Sequence, residues 1–171
     1  MKLPHGFTDD ATSAQPLHVL ERTQFSDWRA TQTTAVQAWL DAQGFNAAPG
    51  SVVLLPGEHG IAGAVLGVGD AVDPYSYAHA PHGLPPGDWT LASTLADDAR
   101  IALQLGWGLG SYRFDRYRKS DASDVRLVVP AGADAAEVRR VIVGTSLARD
   151  LINIPANVTN AIFRFQDYPL F

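Results

Sequence analysis

Short apolar runs alternate with amphipathic segments along most of the chain. Five such runs cover residues 17–20, 51–55, 61–68, 90–95 and 125–129. Apolar runs of this length, bounded by glycine, proline and polar turn residues, are typical of strands that are buried within a sheet. The pattern therefore predicts a parallel or mixed sheet that is covered by helices.

Three segments show the apolar spacing of three and four residues that marks a helix packed on a sheet. They cover residues 26–44, 97–119 and 134–152. The predicted inward faces are Trp28, Thr31, Ala35, Trp39 and Ala42 in the first helix, Ile101, Leu105, Leu109 and Tyr112 in the second, and Val138, Ile142, Thr145, Ala148 and Ile152 in the third. Strands that alternate with such helices predict an α/β domain of three layers, with a mixed sheet between two layers of helices.

Two further segments are rich in turn residues. Residues 1–16 contain prolines, a glycine and small polar residues, which predicts an irregular arm. Residues 70–88 contain four prolines and two glycines, which predicts a loop-rich insertion with room for a short helical turn only. We therefore divide the chain into an arm at 1–16, an α/β domain at 17–152 and a final segment at 153–171.

The second helix contains an unusual number of glycines. Gly106, Gly108 and Gly110 each cost roughly 1 kcal/mol relative to alanine inside a helix, unless close packing offsets the loss. Gly106 and Gly110 form a stripe with Ala102 at four-residue spacing. We therefore expect another backbone to approach this stripe closely.

Charge and composition exclude several classes of protein. Eighteen acidic and thirteen basic residues give a net charge of −5, which disfavours a protein that binds nucleic acid mainly through its phosphates. The absence of cysteine excludes disulfides, a thiolate nucleophile and a zinc site with cysteine ligands. The first residues lack the features of a secretory signal, and no apolar run approaches eighteen residues, so we expect a cytoplasmic protein without a membrane partner.

The candidate sites that the residues offer are weak. His79, His82 and Asp88 form the only cluster with a possible metal-ligand composition, but they lie in the proline-rich loop, where a packing role is favoured. The glycines of 106–110 lie inside a helix rather than at the strand-to-helix turn of a dinucleotide site, so packing is favoured there too. The residues alone therefore identify no catalytic, cofactor-binding or metal-binding residue.

Two stretches resemble a specific family. Residues 106–119, GWGLGSYRFDRYRK, resemble the "GWxLGxYRFDRYR" pattern of the amino-terminal domain of leucyl aminopeptidases, the cytosol aminopeptidase family. Residues 148–157, ARDLINIPAN, resemble the "ARDLxNxPAN" signature with which that domain ends. The two stretches occur in the family's order and are separated by a predicted strand.

The resemblance implies a macro-domain-like fold in a two-metal exopeptidase. Such enzymes form homohexamers and use two divalent ions of zinc, manganese or magnesium to remove the amino-terminal residue of a peptide. The family's metal ligands, including an "NTDAEGR" stretch, belong to its carboxy-terminal domain, and this sequence has no match to them. The chain is therefore expected to be a fragment or truncated form that is inactive alone, with a role in assembly or access and with the missing catalytic domain as its partner.

The final segment departs from the family pattern. Residues 158–171 hold four of the sixteen aromatic residues, Phe163, Phe165, Tyr168 and Phe171. A truncation, a shifted reading frame or an added sequence would each explain this ending. We expect the segment either to pack against a neighbouring chain or to be disordered.

Two other functions remain open at this stage. A free-standing macro-like module would bind a nucleotide such as ADP-ribose through the turns that follow Leu55 and Val68. A nucleic-acid adaptor would use the basic and aromatic residues of 113–119, although the net negative charge and a role as a helix end argue against it.

Overall fold

The computed structural model describes residues 3–58, 60–114, 124–130 and 135–154. Its centre is a six-stranded sheet with the order β1-β6-β5-β2-β4-β3. The strands are β1 (Phe7–Thr8), β2 (Gln15–Glu21), β3 (Val52–Gly57), β4 (Gly60–Val68), β5 (Gly87–Leu91) and β6 (Val125–Val128). β3 and β4 pair antiparallel, and all other neighbours are parallel. The sheet is therefore mixed, as the sequence predicts.

Helices cover both faces of this sheet. They are α1 (Phe25–Ala30), α2 (Thr34–Ala42), α3 (Ala80–Gly83), α4 (Asp97–Gly110) and α5 (Ala135–Asn153), with one-turn 3₁₀ helices at Arg22–Gln24 and Pro74–Tyr77. α1 and α2 pack on one face, while α3, α4, α5 and the second 3₁₀ helix pack on the other. The predicted α/β class with a sheet between helices is confirmed.

The central strand β2 shows how alternation builds the two cores. Leu17 and Val19 are buried in the larger cluster, which includes Trp107 of α4. Leu20 points to the opposite face and joins the smaller cluster with Leu40 of α2. Successive side chains of a strand point to opposite faces, so one strand supplies both cores.

The first predicted helix is wrong, because the structure contains two helices there. α1 ends at Ala30 and α2 begins at Thr34. The Thr31 hydroxyl donates to the carbonyl of Trp28, and the Thr33 hydroxyl caps α2 by accepting from the amide of Val36. Threonine hydroxyls compete with helical backbone bonds in this way, so the run of threonines ends one helix and begins the next.

The inward face predicted for this region is also wrong in most positions. Thr31, Ala35, Ala42 and Trp39 are exposed, whereas Leu40 is fully buried. The break between α1 and α2 resets the helical phase, so the spacing counted through it does not hold. The indole of Trp39 instead donates to the carbonyl of Leu54 on the edge strand β3, at 2.9 Å.

The close approach predicted at the α4 glycines is confirmed. A Cβ at Gly106 would lie well inside contact distance of the Pro74 carbonyl oxygen, and one at Gly110 would collide with the Ala78 carbonyl oxygen. Gly108 faces the side chain of Ile142 on α5. The helix therefore packs backbone to backbone against the segment that contains the second 3₁₀ helix.

Helix α4 ends at Gly110, so the prediction that it continues through residues 111–114 is wrong. In a continuing helix, the carbonyls of Leu109 and Ser111 would accept from later amides. Here they accept from the side chains of Arg149 and His5 instead. Residues 115–119, the remainder of the predicted helix, lie outside the described residues.

The last helix agrees with its prediction in its first half only. Val138 and Ile142 are buried, but Ala148 is exposed and Ile152 is 82% exposed. The inward position of the later turns is taken by Arg149, which contacts the end of α4. The apolar spacing of the sequence thus continues into the later turns of α5, where the predicted inward positions Ala148 and Ile152 are not buried.

The start of the chain is more regular than the interpretation as an irregular arm suggests. Phe7 and Thr8 pair with Leu127 and Val128 of β6, which makes β1 an edge strand of the sheet. A two-residue strand is too short to leave a periodic signal. The predicted strand at 90–95 begins earlier than expected and ends at Leu91.

Candidate functional site

The two stretches that resemble the aminopeptidase family meet in the structure. The hydroxyl of Tyr112 donates to Asp150 Oδ1 at 2.7 Å, and Asn153 Nδ2 donates to the Tyr112 oxygen at 3.2 Å. Tyr112 belongs to the first stretch, and Asp150 and Asn153 belong to the second. Burial and the hydrogen bond to Asp150 raise the pKa of Tyr112, so its hydroxyl stays a donor throughout the physiological pH range.

Arg149 strengthens the same contact. Its Nη1 donates to the Leu109 carbonyl at 2.8 Å, and its guanidinium carbon lies 5.2 Å from the centre of the Tyr112 ring. A cation at the carboxyl end of a helix is favoured by the helix dipole, and a guanidinium over an aromatic ring adds a cation–π attraction. We call the group of Leu109, Tyr112, Arg149, Asp150 and Asn153 the α4–α5 junction.

The amino-terminal segment is tied to the same end of α4. The indole of the fully buried Trp107 donates to the Gly6 carbonyl at 2.8 Å, and His5 Nδ1 donates to the Ser111 carbonyl at 3.1 Å. Gly6 has a φ of +84°, and a Cβ there would collide with the side chain of Ser111. The end of α4 is therefore fixed by contacts from both ends of the described chain.

The turn after Val68, one of the two proposed for nucleotide binding, is occupied by the chain's own carboxylates. Glu21 Oε1 accepts from the amide of Ala71 at 3.1 Å, and Asp70 Oδ1 accepts from the amide of Val72 at 3.0 Å. A phosphate needs such amides to be available. The negative charges of Glu21 and Asp70 would also repel the negative charge of a phosphate.

Tyr77 lies in the same negatively charged environment. Its hydroxyl donates to the Ala71 carbonyl at 2.7 Å. Burial raises its pKa above the ordinary value, and the negative charges of Glu21, Asp70 and Asp98 raise it further. The carboxyl edge of the sheet is thus acidic, which disfavours nucleotide binding there.

The turn after Leu55 lies at the other end of the sheet. β3 runs antiparallel to β4, so the hairpin turn at Gly57–Gly60 and the turn after Val68 stand at opposite ends of β4. A strand of this length separates them by about 26 Å, at about 3.3 Å per residue. The two turns do not combine into one binding site, and the ADP-ribose alternative is not favoured.

The possible metal cluster of the loop does not form. Both oxygens of Asp88 are bound by Arg126, at 2.7 Å from Nε and 3.0 Å from Nη2, and this pairing raises the pKa of Arg126. His79 is half-buried, and burial lowers its pKa. Within the described ranges, no group of three or more His, Asp or Glu side chains is placed to hold a metal ion.

The glycines of 106–110 pack against neighbouring segments, as the sequence analysis favours over a dinucleotide role. Arg113 and Phe114 are the part of the basic and aromatic segment that the structure describes, and both make contacts within the chain. The other residues of that segment, 115–119, lie outside the described residues, as do 155–157 of the second stretch.

None of the helices in the described part combines the length and apolar character needed to cross a membrane.

One family model and several solved structures match this chain. Residues 15–130 match the family model described as "M17 aminopeptidase, N-terminal domain". The chain belongs to the M17 aminopeptidase family. The match covers the sheet from β2 to β6 and the whole of α4, and it includes Tyr112 of the junction. A search among curated proteins found no match.

Several solved structures resemble this chain over most of its length. The crystal structure of a cytosol aminopeptidase from Coxiella burnetii has a TM-score of 0.80 and 29% identity, and the likeness covers 90% of this chain and 34% of that one. The bottromycin maturation enzyme BotP has a TM-score of 0.61, 27% identity, and coverage of 85% of this chain and 34% of BotP. A complex of BotP with Mn has a TM-score of 0.62, 26% identity, and coverage of 86% and 33%. The chain thus spans about a third of the length of these proteins.

The sequence identified the residues of the junction only as parts of two motifs. It did not pair Tyr112 with Asp150, because 38 positions separate them. The sequence did contain a signal for this contact. In both stretches, a charged or phenolic side chain lies close to the end of a helix. Such polar groups need partners when they are half-buried, and a helix end is where backbone carbonyls lack them.

Proposed function

We propose that this chain acts as the non-catalytic amino-terminal domain of a metal-dependent leucyl aminopeptidase, an enzyme that removes amino-terminal residues from peptides. The observation that carries the proposal is the α4–α5 junction, in which the two stretches that resemble the family contact each other. Membership of the M17 family supports the same assignment. The name of the Coxiella burnetii protein supports both the activity and a cytoplasmic location.

The role of the domain would be to hold the connection to the catalytic domain in a fixed position. Three polar contacts and one cation–π contact hold the last turns of α5 against the end of α4. The last described segment of the chain, which ends at Ile154, therefore has a defined position relative to the end of α4. A domain that is joined to a catalytic domain through this segment would support assembly, here proposed as a homohexamer, and access to the active site.

The metal chemistry would belong to the partner domain. A two-metal site polarises the peptide carbonyl and generates the attacking water, and it requires a rigid set of several carboxylate or similar ligands. The described residues of this chain do not provide such a set. The proposed catalytic partner would therefore supply two divalent ions and all their ligands, and the Mn complex of BotP supports manganese as one candidate.

The proposal is tested by assaying the purified 171-residue chain with leucine p-nitroanilide in the presence of Mn²⁺. We expect no hydrolysis above the rate of the buffer, while the Coxiella burnetii cytosol aminopeptidase serves as a positive control. Hydrolysis that follows the chain through purification and stops on addition of a chelator would contradict the proposal.

A further inference from the structure

Helix α5 carries an apolar stripe that the described residues leave exposed. It consists of Val141, Gly144, Ala148 and Ile152, at spacings of three, four and four residues. Val141 is 43% exposed and Ile152 is 82% exposed. Among the described residues, no heavy atom of a neighbour lies within 4 Å of the position that a Cβ on Gly144 would take. We call these residues the α5 stripe.

The α5 stripe lies beside the face that packs on the domain. At 100° per residue, its members point about 100° away from the direction of Val138 and Ile142, which are buried. Small residues occupy its middle and larger ones its ends, which makes a shallow groove about 16 Å long at 1.5 Å per residue. An exposed apolar surface with this shape is typical of a docking site.

The occupant is argued from the segment that follows the helix. Residues 158–171 begin four positions after Ile154 and contain only two charged residues, Arg164 and Asp167. Their large apolar and aromatic residues are Val158, Ile162, Phe163, Phe165, Tyr168, Leu170 and Phe171. Burying the apolar side chains of such a segment lowers the free energy of the chain relative to leaving them in water.

We propose that residues 158–171 pack on the α5 stripe of their own chain. The fourteen residues reach up to about 46 Å when extended, so they can cover the whole stripe. Pro155 is incompatible with a continuing helix, which favours a change of direction directly after α5. This inference does not depend on the proposed aminopeptidase role.

The covalent connection favours the chain's own stripe over that of a second copy. A short tether gives the segment an effective concentration in the millimolar range at its own α5, far above the concentration of a purified protein in dilute solution. Packing on a neighbouring chain, which the sequence analysis considered, would require association at that lower concentration. The described stripe provides the nearer site.

Amide hydrogen exchange of the 171-residue chain tests the proposal. We expect residues 158–171 to exchange at least about tenfold more slowly than a synthetic peptide of the same sequence, and to keep this protection when the protein is diluted a hundredfold. Exchange at the rate of the free peptide would overturn the proposal. Protection that disappears on dilution would also overturn it, because it would assign the contact to a second copy.

A matched pair of valines on the same helix makes the test specific. Val141 belongs to the α5 stripe, whereas Val143 is 51% exposed and points to another side of α5. Val141→Asp should abolish the protection of residues 158–171, and Val143→Asp should leave it unchanged. Ile152→Asp, at the other end of the stripe, should act as Val141→Asp does. Equal effects of the two valine substitutions would contradict the proposal, and circular dichroism would verify that each variant keeps its helices.

Discussion

Helix α4 contacts its surroundings in two different ways, along its side and at its end. Along its side, Gly106 and Gly110 lie directly against the backbone carbonyls of Pro74 and Ala78. At its end, the α4–α5 junction joins half-buried side chains by directional polar contacts. The first contact has no room for an added atom, since backbone on both sides is held by other elements. The second can lose a hydrogen bond without a change in packing volume, so we expect it to tolerate substitution better.

The largest effect is expected at the glycine contact. Gly106→Ala should lower the free energy of unfolding by about 1–3 kcal/mol, because the new methyl group must displace the Pro74 carbonyl. Urea denaturation followed by circular dichroism measures this change.

Gly144→Ala is the matched control for this substitution. Gly144 is also a glycine within a helix, but no described residue lies within 4 Å of its Cβ position, and an alanine there would match the small Ala148 that follows it in the α5 stripe. Alanine there should raise the free energy of unfolding by up to about 1 kcal/mol, as expected from helix propensity. If Gly106→Ala stabilised the protein as much as Gly144→Ala, the close approach along α4 would be refuted.

A smaller effect is expected at the junction. Tyr112→Phe and Asp150→Ala should each destabilise the domain, and their double-mutant cycle should give a coupling energy of about 0.5–1.5 kcal/mol. The coupling arises because either substitution alone removes the same hydrogen bond. Equilibrium unfolding of the four proteins measures it.

A second cycle provides the control for the junction. Trp39→Phe removes the indole contact to Leu54 on the opposite face of the sheet, and it shares no described partner with Asp150. Its effect should add to that of Asp150→Ala within about 0.5 kcal/mol. Coupling as strong as that between Tyr112 and Asp150 would mean that the contact seen at the junction is not the source of the energy.

The elements that follow from local pattern and chain composition were predictable. The continuous run of β4 is buried from Gly63 to Val68, and the glycines of α4 indicate a close backbone approach because their cost in a helix must be offset. The division into α1 and α2 was not predictable from apolar spacing. It depends on which hydrogen bonds the hydroxyls of Thr31 and Thr33 make, and periodicity carries no information about these.

The contacts that define the candidate site could not be predicted from the sequence, because they also depend on which hydrogen bonds individual side chains make. Glu21 satisfies the amide of Ala71 although 50 positions separate them, and this single contact helps to remove the turn after Val68 from the candidate nucleotide sites. Partners so far apart in the chain become neighbours only through the strand order, in which β2 lies beside β4. Resemblance indicated which two stretches matter, and the folded chain indicated that Tyr112 and Asp150 join them.

Titration of the 171-residue chain with Mn²⁺, followed by the electron paramagnetic resonance signal of the free ion, tests the central claim most directly. The claim is that the chain is an accessory domain whose metal chemistry lies in a partner. The account predicts that the free-ion signal at micromolar Mn²⁺ equals that of buffer. Stoichiometric loss of signal for a pair of ions per chain would contradict it, because this chain would then hold a two-metal centre of its own.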